Sequence, residues 1–207
     1  MTATVLIPPA SHRLTTVTRA REMFGFPLES DRAAWLLIDQ ASATAERFCN
    51  RTFGRQTLRE RFDLCRSPDG LALEGSPVVE VLSIVRDGVA LAVDDYEVDG
   101  VALHAVRNGD RCGWYGRTLT VEYVAGYVLP DDEEGPIPAG MLPADVERAV
   151  MLLANASLAG RQREAGLKSE SVEGVGSFSY FVQGANNALP DPEAESLLQR
   201  HRRPFLG

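Results

Sequence analysis

Residues 117–127, Arg117-Thr118-Leu119-Thr120-Val121-Glu122-Tyr123-Val124-Ala125-Gly126-Tyr127, decide the fold class. Leu119, Val121 and Tyr123 alternate with polar neighbours, the period of a strand with one buried face. Beyond a loop of acid, glycine and proline (residues 131–140), Leu142-Pro143-Ala144-Asp145-Val146 changes the period. Proline in a first helical turn costs nothing, because the N–H it lacks would have no partner there. Val146, Ala149, Val150, Leu153, Ala156, Ser157 and Gly160 then recur at three- and four-residue steps, and the helix is expected to end by Gly166. A strand period followed by a helix period across one loop makes the chain α+β.

Reading back from residue 117, the strand period persists. Gln56 to Leu64, Val78 to Arg86, Val89 to Val93, Tyr96 to Val98 and Val101 to Val106 read as short strands. Asp87-Gly88 and Asp99-Gly100 are two-residue hairpin signals between them, since aspartate and glycine tolerate positive φ. The expectation is a small antiparallel sheet or barrel. Before it the period is helical again. Thr15 or Thr16 caps a short helix with Val17, Ala20, Met23 and Phe24 on one face, ending near Gly25. Phe26-Pro27 forces an extended turn. Ser30 or Asp31 opens a longer helix to about Asn50, with Trp35, Ile38, Ala41, Ala45 and Phe48 as its apolar stripe. At the far end, Lys168 to Phe181 reads as a β-arm, and Pro190-Asp191-Pro192 introduces a last helix, Glu193 to His201.

The whole is 207 residues, 44% hydrophobic and 24% charged, with a net charge of -8 and a pI near 5.0. That composition supports one domain with appendages. The apolar start, Val5-Leu6-Ile7, lacks the basic region of a signal peptide, and no apolar run is long enough to span a bilayer. Strong duplex binding rests on neutralising phosphates, which an acidic chain does poorly.

Catalytic signatures are missing. His12, His104 and His201 are far apart, and Cys49, Cys65 and Cys112 form no C-x-x-C pair. Gly174-Val175-Gly176 has the first two glycines of a nucleotide cradle without the third. Trp114 and Tyr115 read as sheet packing. No metal or cofactor is expected. The acidic run Asp131, Asp132, Glu133 and Glu134 reads as a solvated loop or as a surface facing DNA or a basic partner. Its sharper alternative is a small metal-dependent hydrolase or nuclease built on Asp131, Asp132 and Glu134.

The succession of elements resembles the head-tail connector (adaptor, or head-completion) family of long-tailed phages and gene transfer agents. Leu14-Thr15-Thr16-Val17, the exit Cys49-Asn50-Arg51-Thr52-Phe53, Ser76-Pro77-Val78-Val79 and Asp95-Tyr96-Glu97-Val98 carry part of the likeness. The strand end Val121 to Tyr127, followed by Leu142-Pro143-Ala144-Asp145-Val146, carries the most specific part, and Lys168-Ser169-Glu170 with Tyr180 resembles the family's arm. The resemblance spans nearly the whole chain and implies a bundle of three main helices carrying the β-rich insertion. Residues 1–167 would form one adaptor domain, with helices about 14–50 and 142–165 and the insertion about 55–127. Residues 168–207 would form an extended C-terminal arm with a short helix.

Such a subunit would be a non-enzymatic part of a particle's neck, made in a bacterial cytoplasm. It would stand as a ring of about twelve copies between the portal and a stopper or tail-side protein, and duplex DNA would pass through with only transient contact. Other neck rings, a stopper or a tail terminator, are the nearest alternatives. Phe178, Tyr180, Phe181, Leu197, Leu198, Arg200, Arg202, Arg203 and Phe205 are the candidate portal-docking residues. The apolar ones would find no burial on an isolated arm, and the arginines can pair with carboxylates. The acidic loop, Asp131 to Glu134, is the candidate lumen or partner face.

Overall fold

The computed structural model describes residues 2–25, 31–65, 68–131, 139–161, 169–172, 176–179 and 189–203. Among these the chain is mixed α+β, with four helices and antiparallel sheets. It forms two compact units: a β unit of residues 1–11 and 54–128, and a helical unit of residues 12–53 and 129–207.

The β unit contains β1 (Thr2–Ile7), β2 (Gln56–Asp63), β3 (Leu71–Ala72), β4 (Val78–Arg86), β5 (Val89–Ala90), β6 (Tyr96–Asp99), β7 (Ala102–Arg107), β8 (Asp110–Cys112) and β9 (Thr118–Ala125). One sheet runs β1-β2-β9-β4-β5, and a second runs β3-β7-β6 with β8 also on β7. Neither closes, so of the two expected forms, sheet or barrel, no barrel is present among the described residues. The hairpin turns form where their residue types permit. Asp87 and Gly88 stand at φ 48° and 85° between β4 and β5. Asn108 and Gly109, at 55° and 86°, do the same between β7 and β8. Two successive positive φ values match the twist of the flanking strands. The expected strand to Val93 is shorter: β5 ends at Ala90, and Val93–Asp95 is a 3-10 turn.

Alternation sets the core. Leu119, Val121, Tyr123 and Ala125 of β9 are buried, and their neighbours are half-buried. Leu58 and Phe62 of β2, Ile84 of β4, and Leu103 and Trp114 join them. The Trp114 indole N–H donates to the Leu103 carbonyl at 3.0 Å, so its polar atom is satisfied inside the core. A carboxylate also lies there. Glu60, 2% exposed, follows the same inward period as Leu58 and Phe62. Its Oε1 accepts a hydrogen bond from the Tyr123 hydroxyl and another, at 2.8 Å, from the Glu74 N–H. The Tyr123 oxygen in turn accepts the Gly75 N–H at 2.7 Å. Burial raises the Glu60 pKa and holds the Tyr123 hydroxyl protonated. Gly75 must be glycine, since a Cβ would stand 2.5 Å from Leu58 Cδ1 and 2.7 Å from Ala125 Cβ.

The helical unit contains α1 (Val17–Phe24), α2 (Asp31–Cys49), α3 (Ala144–Arg161) and α4 (Pro192–Gln199). A hairpin of β10 (Ser169–Val172) and β11 (Gly176–Ser179) belongs to the same unit. The Thr16 side chain accepts the Arg19 N–H, and Gly25 at φ 59° stops α1. The Phe26-Pro27 turn lies outside the described residues. The α2 stripe is rotated from the expected one. Ala34, Leu37, Ile38, Ala41, Ser42, Ala45 and Cys49 are buried, while Trp35 and Phe48 are half-buried at its margin. Arginines cover both marginal rings, Arg13 at 4.3 Å from the Trp35 centroid and Arg202 at 5.3 Å from that of Phe48.

Distant chain segments meet through carboxylates on α3. Glu147 accepts from the Thr15 hydroxyl and from Arg19 Nη1, each at 3.1 Å. Asp191 caps α4, and Leu198 closes that helix on the bundle at 0% exposure. Among the described residues the three main helices are not confirmed: two helices are long, α2 and α3, and two have eight residues each.

Two consequences can be measured. Gly75→Ala should cost about 1–3 kcal/mol by overpacking, and an unchanged thermal midpoint would refute the close approach. Because folding raises the Glu60 pKa above its ordinary 4.5, the folded chain holds that proton more tightly than the unfolded chain. The stability this contributes is complete below about pH 4.5 and is lost as pH rises toward the folded value. Glu60→Gln should therefore flatten the fall in midpoint over that window, whereas an equal slope in the variant would assign the titration to another group.

Candidate functional site

Among the described residues no three His, Cys, Asp or Glu side chains gather to hold a metal. Each histidine is engaged separately. His12 stands 3.0 Å from Glu46, His201 2.9 Å from Asp145, and His104 3.1 Å from the Asp69 carbonyl. In the β unit an open depression of about 700 Å³ is lined by Arg61, Asp63, Cys65, Arg117 and Thr118, among others. The Cys65 pKa is raised, chiefly by its hydrogen bond to Asp63, which lies below the usual carboxylate range. A nucleophilic cysteine needs the opposite, a cationic neighbour that favours thiolate. Burial likewise pushes Cys49 up to about 11, and its thiol donates to the Leu198 carbonyl at 3.6 Å.

The candidate docking residues divide. Leu198 is in the helical core, Leu197 is half-buried, and Arg200 and Arg202 are exposed. Arg203 is half-buried, and its N–H donates to the Cys49 carbonyl at 2.9 Å. Phe178 lies on β11. Tyr180, Phe181 and Phe205 lie outside the described residues. Of the acidic loop, Asp131 is exposed, and Asp132, Glu133 and Glu134 lie outside the described residues. The terminal helix itself is tied to the bundle by Leu198 and Ala194, both at 0% exposure, and by Arg148 Nε donating to Glu193 at 2.9 Å.

Two surface features escaped the sequence reading. Val5-Leu6-Ile7 is an edge strand, with side chains 51%, 36% and 62% exposed. Its signal was the apolar run itself, which does not alternate because neither face is fully covered. Trp114 packs in the core as expected, but Tyr115 does not: it is 45% exposed. The guanidinium of Arg86 lies 3.9 Å from its ring centroid and that of Arg107 4.9 Å. The ends of β4 and β7 and the loop before β9 make this cluster, so no local motif announces it.

No family model matches the chain, and no curated protein matches it. Its fold is shared by chains of solved particle structures. A chain in the neck of a native gene transfer agent (GTA) particle computed with C12 symmetry superposes at a TM-score of 0.56 with 17% identity. A chain in the neck of an empty GTA particle computed with C6 symmetry gives 0.55 and 17%. A chain of the virion of a native GTA particle gives 0.56 and 18%. In each case the match covers 100% of this chain and 99% of the other. At these identities the likeness is one of fold, and it runs end to end through both units.

Leu198→Ala should cost about 2–5 kcal/mol, the usual loss for a buried leucine, and should free the 192–199 amides to exchange. Retained protection there would show that Leu198 does not anchor α4.

Proposed function

We propose that this chain is a structural neck protein of a phage-like particle: a head-tail adaptor that forms a ring between the portal and a stopper or tail-side protein. The end-to-end likeness to chains of GTA necks carries this reading. A likeness confined to one unit could reflect a common module. One that includes both the bundle and the inserted sheets, in the same chain order, extends to the whole subunit. The C12 and C6 symmetries of those necks support a cyclic ring, with twelve copies as the count that fits both.

The thiol in the open depression is raised rather than activated, and each histidine is committed to a separate structural contact. With Leu198 drawn into the bundle, portal docking falls to Phe178, Tyr180, Phe181, Leu197, Arg200, Arg202, Arg203 and Phe205. The exposed guanidiniums of Arg200 and Arg202 suit an acidic rim. Asp131 to Glu134 is the face proposed for the lumen or for a basic partner. A net charge of -8 suits a passage that duplex DNA must leave as readily as it enters.

Two outcomes follow. The isolated chain should bind duplex DNA only weakly, and sub-micromolar, salt-sensitive binding would count against an adaptor lumen. In particles made without this chain, heads and tails should accumulate unjoined. Intact tailed particles in its absence would remove the adaptor role.

A further inference from the structure

The five-stranded sheet of the β unit has two open edges with a shared peculiarity. β1 pairs with β2 on one side only, and its outer edge meets no strand among the described residues. On the opposite side, β5 covers only the end of β4, through Val85 and Arg86. The Val78–Ser83 stretch of β4 therefore has β9 on one side and no described strand on the other.

Both edges are bulged, and the bulge residues are large and apolar. In β1 the register passes from Val5 to Ile7, which leaves Leu6 as the extra residue. In β4 it passes from Val78 to Glu80 and from Val81 to Ser83, which leaves Val79 and Leu82. Val79 and Leu82 are 46% and 49% exposed. A bulge on an edge normally discourages pairing with another strand and re-aims a side chain. Protective edges use charge or proline for this; β1, Thr-Ala-Thr-Val-Leu-Ile, carries no charge and meets proline only after its end, and the β4 edge sets one exposed carboxylate, Glu80, between Val79 and Leu82. Such edges resist continuation of the ladder and instead present apolar side chains to something that covers them.

Resting on the ring reading above, we infer that the β1 edge of one copy packs on the β4 edge of the next. Val5, Leu6 and Ile7 of the first bury against Val79 and Leu82 of the second. The occupant follows from the geometry. The two patches lie on opposite edges of one sheet, so a two-fold contact of β1 with β1 would leave the β4 patch of every copy exposed. A head-to-tail contact uses both patches of every copy and closes into a ring. Only five side chains take part in this contact, against the roughly 20–30 residues a side of a stable interface. The contact therefore holds only with the other contacts of a closed ring, so the free chain stays monomeric until assembly is driven by concentration or by a nucleating partner.

Disulfide cross-linking of the full chain tests this, in a background where exposed Cys65 is serine. Leu6→Cys and Leu82→Cys are placed in the same chain, separately and together, and mass photometry records assembly before oxidation. The double variant should give a ladder of covalent multimers up to the ring, and each single variant should remain monomeric on denaturing gels. Rings that form without a ladder overturn the edge contact and leave the ring reading intact. Covalent dimers from Leu6→Cys alone overturn it in favour of a two-fold contact. A chain that never exceeds a monomer at any concentration, or with a portal, overturns both.

Discussion

Strand β9 is the constraint on which the β unit depends. It lies between β2 and β4, so every residue from Thr118 to Ala125 has a partner on β2, and most have one on β4. Its inward residues are Leu119, Val121, Tyr123 and Ala125, and slipping the register by one would turn all four to the other face. Tyr123 adds a directional restraint to that apolar one. Its hydroxyl donates to a buried carboxylate and accepts a backbone N–H from the segment before β4. Three parts of the chain, β2, residues 74–75 and β9, are joined by the Glu60 and Tyr123 side chains. A hydroxyl removed from this network leaves Glu60 desolvated and short of a donor, a destabilising change.

The helical unit solves a different problem. Its two halves are separated in the chain by the whole of the β unit's 54–128 segment. Apolar faces alone could pack in several alignments; the carboxylates of α3 select one. Glu147 takes hydrogen bonds from Thr15 and Arg19 at the start of the chain, and Asp145 takes His201 at its end. Both stand in the first turn of α3, where negative charge is favoured by the helix dipole. Arg203 returning to the Cys49 carbonyl then satisfies an end of α2. Thr15, Arg19 and His201, from opposite parts of the sequence, are thereby held against one helix.

Much of this was legible in the residues. Leu119, Val121 and Tyr123 give the strand face, Asp87-Gly88 a turn, and Thr16 with Gly25 the limits of α1, because each rests on local chemistry; the second turn falls one residue later than Asp99-Gly100, at Gly100-Val101, because Asp99 pairs with Ala102. The illegible parts depend on distant partners. Glu60 looks like an exposed strand residue until Tyr123, 63 positions on, comes beside it. Leu198 looks like part of a free arm until Cys49, 149 positions away, closes on it. The spacing of Trp35 and Phe48 fits the buried stripe, but the core takes the smaller Ala34, Leu37 and Cys49 and leaves the two rings to arginine. β1 was missed because an edge strand open on both faces has no alternation to read. Of the candidate docking set, Arg200 and Arg202 were legible as exposed charges. The aromatic members fall at Phe178 on β11 or outside the described residues.

The proposed place of this chain in the neck of a phage-like particle is tested most directly by a reconstruction of such a neck. The account predicts density for this chain in a closed ring between portal and tail, with cyclic symmetry and both units of every copy ordered. Density for the chain elsewhere in the particle, or a neck ring built without it, would contradict that claim.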